Sequence, residues 1–319
     1  MAGFTNSSLT DYVEENKGDL ILEAVIGAPT LSYPIDIIQG IKYKQAFNFL
    51  AVTAPFQTGT TCAFNSSGDV TFTQSVITVT DVKVQNQFCP KTLESKYTQK
   101  FLRPGAHQEE LPVGKFITDQ TNALIKAQME QALWQGDTAL TNLPNLKIFD
   151  GWLKQIDAGS PVIATAQADV TTGTIIGIID NMYTLLGSNL PAIMSRPDLV
   201  LVMGKDSFQI LVLALRNLNY FHIDVNQSLQ SWELNFPTYG LKVIGVDGLS
   251  NIAGTQSTKK DRMVLTYWDN LVFGTDLQSD YENYEMWYSK DDRVIKLSAE
   301  WKAGTAVKKT TEVITYKNS

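Results

Sequence analysis

Histidine and cysteine are nearly missing from this chain, with two of each in 319 residues. Cys62 and Cys89 have no close-spaced partner, which excludes a Cys-x-x-Cys redox pair and a tetrahedral zinc site built from local ligands. Free thiols in a reducing compartment are the expectation. His107 and His222 lie in separate segments, so a histidine relay or metal centre would have to gather carboxylates from far along the chain. No run approaches the roughly 18 to 20 consecutive apolar residues that a bilayer-spanning helix needs. Asp11, Glu14, Glu15 and Asp19 occupy the start, where an export signal would need basic residues and an apolar stretch. The expectation is a soluble chain made in a cytoplasm, with no membrane partner. Positive charge is scarce as well: 26 Lys and Arg against 33 Asp and Glu give a net charge of −7. Such a surface does not bind nucleic acid by bulk attraction. The short pairs Lys259-Lys260 and Lys308-Lys309 lack the interleaved aromatics of a single-strand groove.

What is abundant is core material. Hydrophobic residues make up 44% of the sequence and charged residues 18%, an ordinary globular balance. A chain of this length can bury roughly three quarters of its unfolded surface without disulfide or metal staples.

The local patterns predict an α+β chain with no internal repeat. Residues 1 to 50 mix Gly, Pro and polar residues with short apolar groups and read as an extended arm that packs on something else. Val70 to Thr73 and Val76 to Val84 alternate apolar and β-branched polar residues after a turn-like Asn65-Ser66-Ser67-Gly68-Asp69. They read as two antiparallel strands of one long hairpin. An isolated hairpin is marginal in water, so a protruding one implies neighbours that cover it. Leu93 to Phe101 reads as a short helix. A longer helix is expected from an Asp119 N-cap to Trp134, with Ile117, Leu124, Gln128 and Gln131 or Ala132 along one thin side, stopped by Gly136. Another is capped by Thr171 or Thr172, buries Ile175, Ile178, Ile179, Met182, Leu185 and Leu186, and ends before Gly187. Leu199 to Met203 is a short, wholly apolar run and hence a buried strand, followed by a helix from Asp206 to Asn217. Further strands are expected at Leu241 to Val246, Arg262 to Tyr267, Tyr284 to Ser289, Val294 to Ala299 and Glu312 to Tyr316.

A search for chemistry finds little. Gly204-Lys205 follows an apolar strand, but a phosphate loop needs a glycine where Leu199 stands. Gly173 and Gly177 are spaced for helix packing and lie in too short an apolar segment for a membrane dimer. No Gly-x-Ser-x-Gly elbow anchors a serine hydrolase. His222 with Asp224, beside Tyr220-Phe221, is more simply a surface or interface pair. Glu109-Glu110, Asp291-Asp292 and the acidic stretch from Asp276 to Glu285 lack calcium-loop spacing. No catalytic, cofactor-binding or metal-ligating residue is assigned. Trp134, Trp152, Trp232, Trp268, Trp287 and Trp301 stand at ends of the expected elements, as core corners or as subunit contacts.

The order of segments then carries a resemblance. An arm, a long two-stranded loop, Cys89-Pro90-Lys91-Thr92-Leu93-Glu94, a long helix ending Leu133-Trp134-Gln135-Gly136-Asp137, and Phe149-Asp150-Gly151-Trp152-Leu153-Lys154-Gln155-Ile156 resemble the major capsid proteins of tailed bacteriophages, of the Hong Kong 97-like fold. Asn270 to Leu277, Val294 to Gly304 and Glu312 to Ile314 look similar too. The motif residues are Trp134, Gly136, Asp137, Phe149, Asp150, Gly151 and Trp152, and the Trp134 to Asp137 form is similar to capsids of phages infecting Bacteroidetes. The resemblance implies an N-terminal arm (1–50), an extended loop (51–115), a peripheral domain (116–194) with a spine helix (119–134), an axial domain (195–280), and strands returning to the peripheral domain (281–319). It also implies a structural protein rather than an enzyme, assembled in a host bacterial cytoplasm into the hexamers and pentamers of an icosahedral virion shell. The implied partners are further copies of itself, a portal, a separate scaffold, minor or decoration proteins, and packaged double-stranded DNA held non-specifically. An encapsulin-like compartment and a tail or other virion subunit are the alternatives from neighbouring classes. An enzyme with a cleft near Gly204 is the alternative from another.

Overall fold

The computed structural model describes residues 20, 23–59, 67–89, 113–165, 169–218, 232–236, 238–252, 261–276 and 284–318. The expected helix from Leu93 to Phe101 lies outside them. The fold is α+β: three sheets, five α-helices between residues 113 and 217, and a further helical stretch at 23–26 among the described residues.

The long helix, α1, spans Val113–Gln135. It starts earlier than the expected Asp119 cap, directly after Pro112, a residue that cannot sit deeper in a helix. Asp119 is an exposed residue within it. The buried line runs through Thr118, Thr121, Asn122, Ile125, Met129, Ala132 and Leu133, whereas Leu124, expected on that line, is 61% exposed. Polar members hid the line from the sequence. Asn122 belongs there because its amide donates to Leu20 O at 3.4 Å and its Oδ1 accepts from the Tyr284 hydroxyl at 3.3 Å.

That line faces a five-stranded sheet. Strand β1 (Asp36–Ile38) lies parallel to β10 (Leu271–Thr275), which pairs antiparallel with β12 (Val294–Val307). β12 also pairs with β11 (Tyr284–Ser289), and along its other side with β4 (Thr80–Phe88). Val82, Ile295, Leu297, Ala299, Trp301, Tyr284 and Met286 turn inward to join Ile125, Met129 and Leu133 in one core. Residues 23–26 are helical, and Ala24, Val25, Ala28, Leu31 and Ile35 are buried in that same core. This corrects the reading of 1–50 as an arm packed elsewhere: its apolar residues from Ala24 to Ile35 belong to this chain's own interior.

A six-stranded sheet runs β5 (Val162–Ile163), β13 (Ile314–Lys317), β9 (Arg262–Tyr267), β6 (Leu199–Gly204), β8 (Lys242–Val246) and β7 (Glu233–Asn235). Alternate residues of β6 serve two cores. Val200 and Val202 join α1 and the five-stranded sheet, while Leu201 and Met203 pack under α3 (Ile175–Asn189) and α5 (Lys205–Asn217). Burial on both faces is why Leu199 to Met203 is unbroken in its hydrophobicity. α3 runs past Gly187 to Asn189, where Pro191 opens the one-turn helix α4 (Pro191–Met194). An internal glycine costs a helix about 1 kcal/mol, too little to end one whose Ile178, Ile179, Met182 and Leu186 are buried. The residue before α3 is Thr174, not Thr171 or Thr172, and Thr171 N–H donates back to its Oγ1 at 3.0 Å.

The hairpin expectation is corrected in its partner. β3 (Asp69–Thr78) pairs antiparallel with β2 (Lys44–Thr53), an element the sequence reading left within the arm. Val76 to Val84 is not one strand: the chain leaves the hairpin at Val79 and continues as β4 against β12. Gly304 admits that crossing, since a Cβ there would lie 2.2 Å from Thr78 O.

Candidate functional site

The motif residues converge on one corner. α1 ends at Gln135, one residue past the expected Trp134 and before Gly136, but the reason differs. Gly136 does not adopt the left-handed conformation of a C-terminal glycine cap. It is required by space: a Cβ would sit 2.5 Å from Phe149 O, 2.6 Å from Ala132 O and 2.9 Å from Gly151 N. Gly151 is confined likewise, 2.7 Å from Gly136 N and 2.8 Å from Ala132 O and Trp134 O. The two glycines meet through Gly151 N–H donating to Gly136 O at 2.8 Å. Residues 137–150 thus form a compact Ω-loop with touching ends, after which α2 (Trp152–Ala158) begins.

Side chains lock the corner. Trp134 and Trp152, both fully buried, meet edge-to-face with centroids 4.9 Å apart. Trp152 Nε1 donates to Val272 O of β10 at 3.1 Å, and Trp134 Nε1 donates to Thr30 Oγ1 at 3.0 Å. Phe149 is buried beside them. Lys154 Nζ lies 2.7 Å from both Asp137 Oδ1 and Asp150 Oδ1. Asp150 also receives Thr138 N–H and Oγ1 at 2.8 Å. Burial by itself would raise the Asp150 carboxyl, but the Lys154 and Thr138 donors outweigh it and hold the group below its ordinary value. Burial likewise works against the Lys154 cation, and the hydrogen bonds it donates to Asp137 and Asp150 more than offset it. Gln155 then joins the corner to β12, donating to Thr305 O at 2.7 Å and accepting from Val307 N–H at 3.1 Å. Lys154 thus bridges the two carboxylates, each through its Oδ1. The corner ties α1, α2, β10 and β12 together.

The strand-to-helix turn at Gly204 is also closed by its own chain. Lys205 N–H donates to Ser250 Oγ at 2.8 Å, Ser207 N–H to Asp206 Oδ1 at 3.0 Å, and Lys205 Nζ pairs with Asp247 at 2.6 Å. A Cβ on Gly204 would meet Leu249 O at 2.7 Å, so the backbone amides there face protein rather than phosphate. His107, His222, Asp224, Glu109 and Glu110, and most of the acidic stretch from Asp276 to Glu285, lie outside the described residues. Among the described residues no group of three or more His, Cys, Asp or Glu could hold a metal ion, and no helix is long and apolar enough to cross a membrane.

The surface feature that sequence reasoning missed is the β2–β3 hairpin's outer face. Register pairs Leu50 with Phe72 and Val52 with Val70, which places all four on one face, each more than half exposed. The only charged residues in the two strands are Lys44 and Asp69 at their ends. A contiguous exposed apolar patch marks a contact surface. The signal was legible as low charge in a segment with too little structure around it to bury both faces. The tryptophans divide clearly: Trp134, Trp152, Trp268 and Trp301 are core, Trp232 is partly buried, and Trp287 is exposed on β11.

No protein-family model matches the chain, and no curated protein matches it by sequence. Solved structures do match by shape. A chain of the satellite phage P4 procapsid, which includes the size determination (Sid) protein, aligns with a TM-score of 0.58 at 14% identity, covering 100% of this chain and 92% of that one. The capsid of Myoviridae phage XM1 gives 0.58 at 13% identity, covering 92% of each chain. The capsid of an empty GTA particle gives 0.55 at 12%, covering 92% and 90%. The polypeptide therefore has the phage capsid fold. The likeness runs along nearly its whole length, as the sequence resemblance implied.

Proposed function

We propose that this chain is the major capsid protein of a tailed phage, a structural subunit without enzymatic activity that self-assembles into the hexamers and pentamers of an icosahedral shell around double-stranded DNA. The observation that carries the reading is the apolar hairpin face on a chain whose whole length takes the capsid fold. Burying what is still exposed of Leu50, Val52, Val70 and Phe72 is worth about 4–7 kcal/mol gross, at roughly 1.5–3 kcal/mol for a side chain that is fully exposed to start with. Association costs of about 4–15 kcal/mol consume most of that, so a single contact is weak and a closed array of many is stable. Heterologous contacts repeated under closed symmetry produce such an array. In this reading the hairpin lies over a neighbouring copy, and scaffold, portal and decoration proteins join the shell. The net charge of −7 suits an inner wall that does not adhere to packaged DNA.

The domain division moves in this proposal. The extended loop centres on β2 and β3, beginning at Lys44 rather than at 51. The peripheral part comprises α1, α2 and the five-stranded sheet. The axial part comprises the six-stranded sheet with α3 and α5, so α3 leaves the 116–194 block and β13 leaves the 281–319 block.

Electron microscopy of the purified chain, with and without its scaffold, tests the function. Closed shells support it, while open tubes indicate a tail subunit and a stable monomer under all assembly conditions sinks it. Leu50→Lys with Phe72→Glu, an opposite-charge pair across the register, should abolish particles while leaving the monomer's melting temperature within about 2 °C, since cross-strand pairs of opposite charge are tolerated and surface changes alter stability by less than about 0.5 kcal/mol. Shells filled with protein cargo in place of DNA, in particles isolated from their host, would favour the encapsulin-like compartment.

A further inference from the structure

The exposed face of the β2–β3 hairpin has a polar row at its centre, a bulky row on one side of it and a slight row on the other. Register puts Asn48 opposite Gln74, midway along two ten-residue strands, and Gln74 Nε2 donates to Asn48 Oδ1 at 3.0 Å. Two residues toward the tip, Leu50 opposes Phe72; two residues toward the root, Ala46 opposes Val76. These six side chains share one face, because residues two apart on a strand and residues paired across strands point the same way. Leu50 is 58% exposed, Phe72 75% and Val76 48%, and Ala46, Asn48 and Gln74 are exposed with them.

Such a face is complementary to itself. When a second copy is turned by 180° about an axis running along the Asn48–Gln74 row, the strand directions reverse while the two central rows stay opposite each other. The bulky Leu50–Phe72 row of each copy then lies over the slight Ala46–Val76 row of the other, the alternation of large and small that lets two sheet faces interdigitate. An axis along the strands would instead stack bulky on bulky and leave a gap over Ala46. After the bond between them, Gln74 keeps its oxygen and one N–H, and the Asn48 nitrogen keeps two N–H. The four amides on the axis thus have both donors and acceptors to exchange, as a contact between identical surfaces requires at its centre. Farther out, the Lys44–Thr78 row comes over Val52–Val70, where the lysine methylenes cover apolar surface and the ammonium reaches water. Asp69, the other charge in the strands, is paired with Thr53 and points to the opposite face, so like charges do not meet.

We propose that two free copies of this chain pair through these hairpin faces about a two-fold axis on the Asn48–Gln74 row. The face measures about 34 Å by 10 Å, at 3.4 Å per residue and 4.8 Å between strands, a footprint well under the roughly 800 Å² that each partner gives to a stable interface. The dimer is therefore reversible and opens when a larger contact competes for the face. The pairing does not rest on the shell reading; in a shell, a neighbouring copy would be that competitor.

Sedimentation velocity on the full chain separates monomer, dimer and larger particles in one run, so loss of pairing and loss of shells are distinct readouts. The wild type should show a reversible monomer–dimer equilibrium. Gln74→Lys alone and Gln74→Glu alone each bring like charges together on the axis, and each should weaken pairing more than about tenfold. An equal mixture of the two variants should form mixed dimers at least about tenfold more tightly than either variant pairs with itself. That rescue requires face to meet face: a hairpin docked on any other part of a second copy gains nothing from the mixture. A mixture no tighter than its components overturns the proposal. So does a wild type that stays monomeric at about 100 µM, where weak interfaces of this size are populated, and this second criterion needs no variant to fold.

Discussion

Gly136→Ala isolates what the helix corner demands. The added Cβ would meet three backbone atoms, Phe149 O at 2.5 Å, Ala132 O at 2.6 Å and Gly151 N at 2.9 Å. Ordinary C···O contacts begin at about 3.3 Å, so α1 and the 149–151 backbone must part by most of an ångström. Overpacking of this kind costs about 1–3 kcal/mol. Parting the same backbones strains the hydrogen bond from Gly151 N–H to Gly136 O, worth about 1 kcal/mol more. The total is about 2–4 kcal/mol. At roughly 2 °C per kcal/mol, the lower end of the range for large domains, the melting temperature should fall by about 4–8 °C. Thermal unfolding of the unassembled chain, followed by circular dichroism at fixed concentration, measures this. Gly187→Ala is the control: it is exposed in α3 with nothing within 4 Å of a Cβ, and should gain up to about 1 kcal/mol. Gly136→Asn separates the two reasons a helix can end in glycine. Asparagine tolerates the left-handed cap conformation but does not fit the close approach, so it should be at least as damaging as alanine. A Gly136→Asn variant as stable as wild type would refute the close-approach argument.

Two further predictions concern charge. Lys154→Met removes the cation shared by Asp137 and Asp150. The Asp150 carboxyl is held below its ordinary value in the folded chain, so its contribution is present above the unfolded value of about 3.9 and is lost as pH falls through the folded value. The variant should therefore lose stability at pH 7 and show a shallower decline between pH 5 and 2, read from urea midpoints. Arg262 is fully buried and paired bidentately with Asp157 at 2.9 Å through both terminal nitrogens. Arg262→Ala should cost about 3 kcal/mol by emptying a fully buried site and leaving Asp157 the longer 3.7 Å contact with Lys317, and chemical denaturation would show a loss under 1 kcal/mol if the pair were only decorative.

Local patterns determined much of this protein. Leu199 to Met203 and Arg262 to Tyr267 are strands because their side chains admit little else, and α3 buries Ile175, Ile178, Ile179, Met182 and Leu186 at the spacing its sequence displays. The corner from Trp134 to Trp152 was legible as a motif, since two glycines between aromatic anchors announce a tight turn. Scarce histidine, scattered carboxylates and a broken phosphate-loop pattern removed the anchors for the catalytic sites considered. Only the tertiary structure decided which strands pair. The alternation in Val70 to Val84 specifies an extended chain with two faces, but nothing local says that Thr78 ends one sheet, Thr80 begins another, and the partners are Lys44 to Thr53 and the far side of β12. The same holds for Asn122 and Glu130, polar residues that the pattern would leave outside. They are buried because Leu20, Thr30 and Gly248, roughly a hundred residues away in sequence, supply their hydrogen bonds. Periodicity reports what near neighbours along the chain can do. Register, burial of polar groups and the fit of a glycine against a distant carbonyl depend on contacts that exist only once the chain has closed on itself.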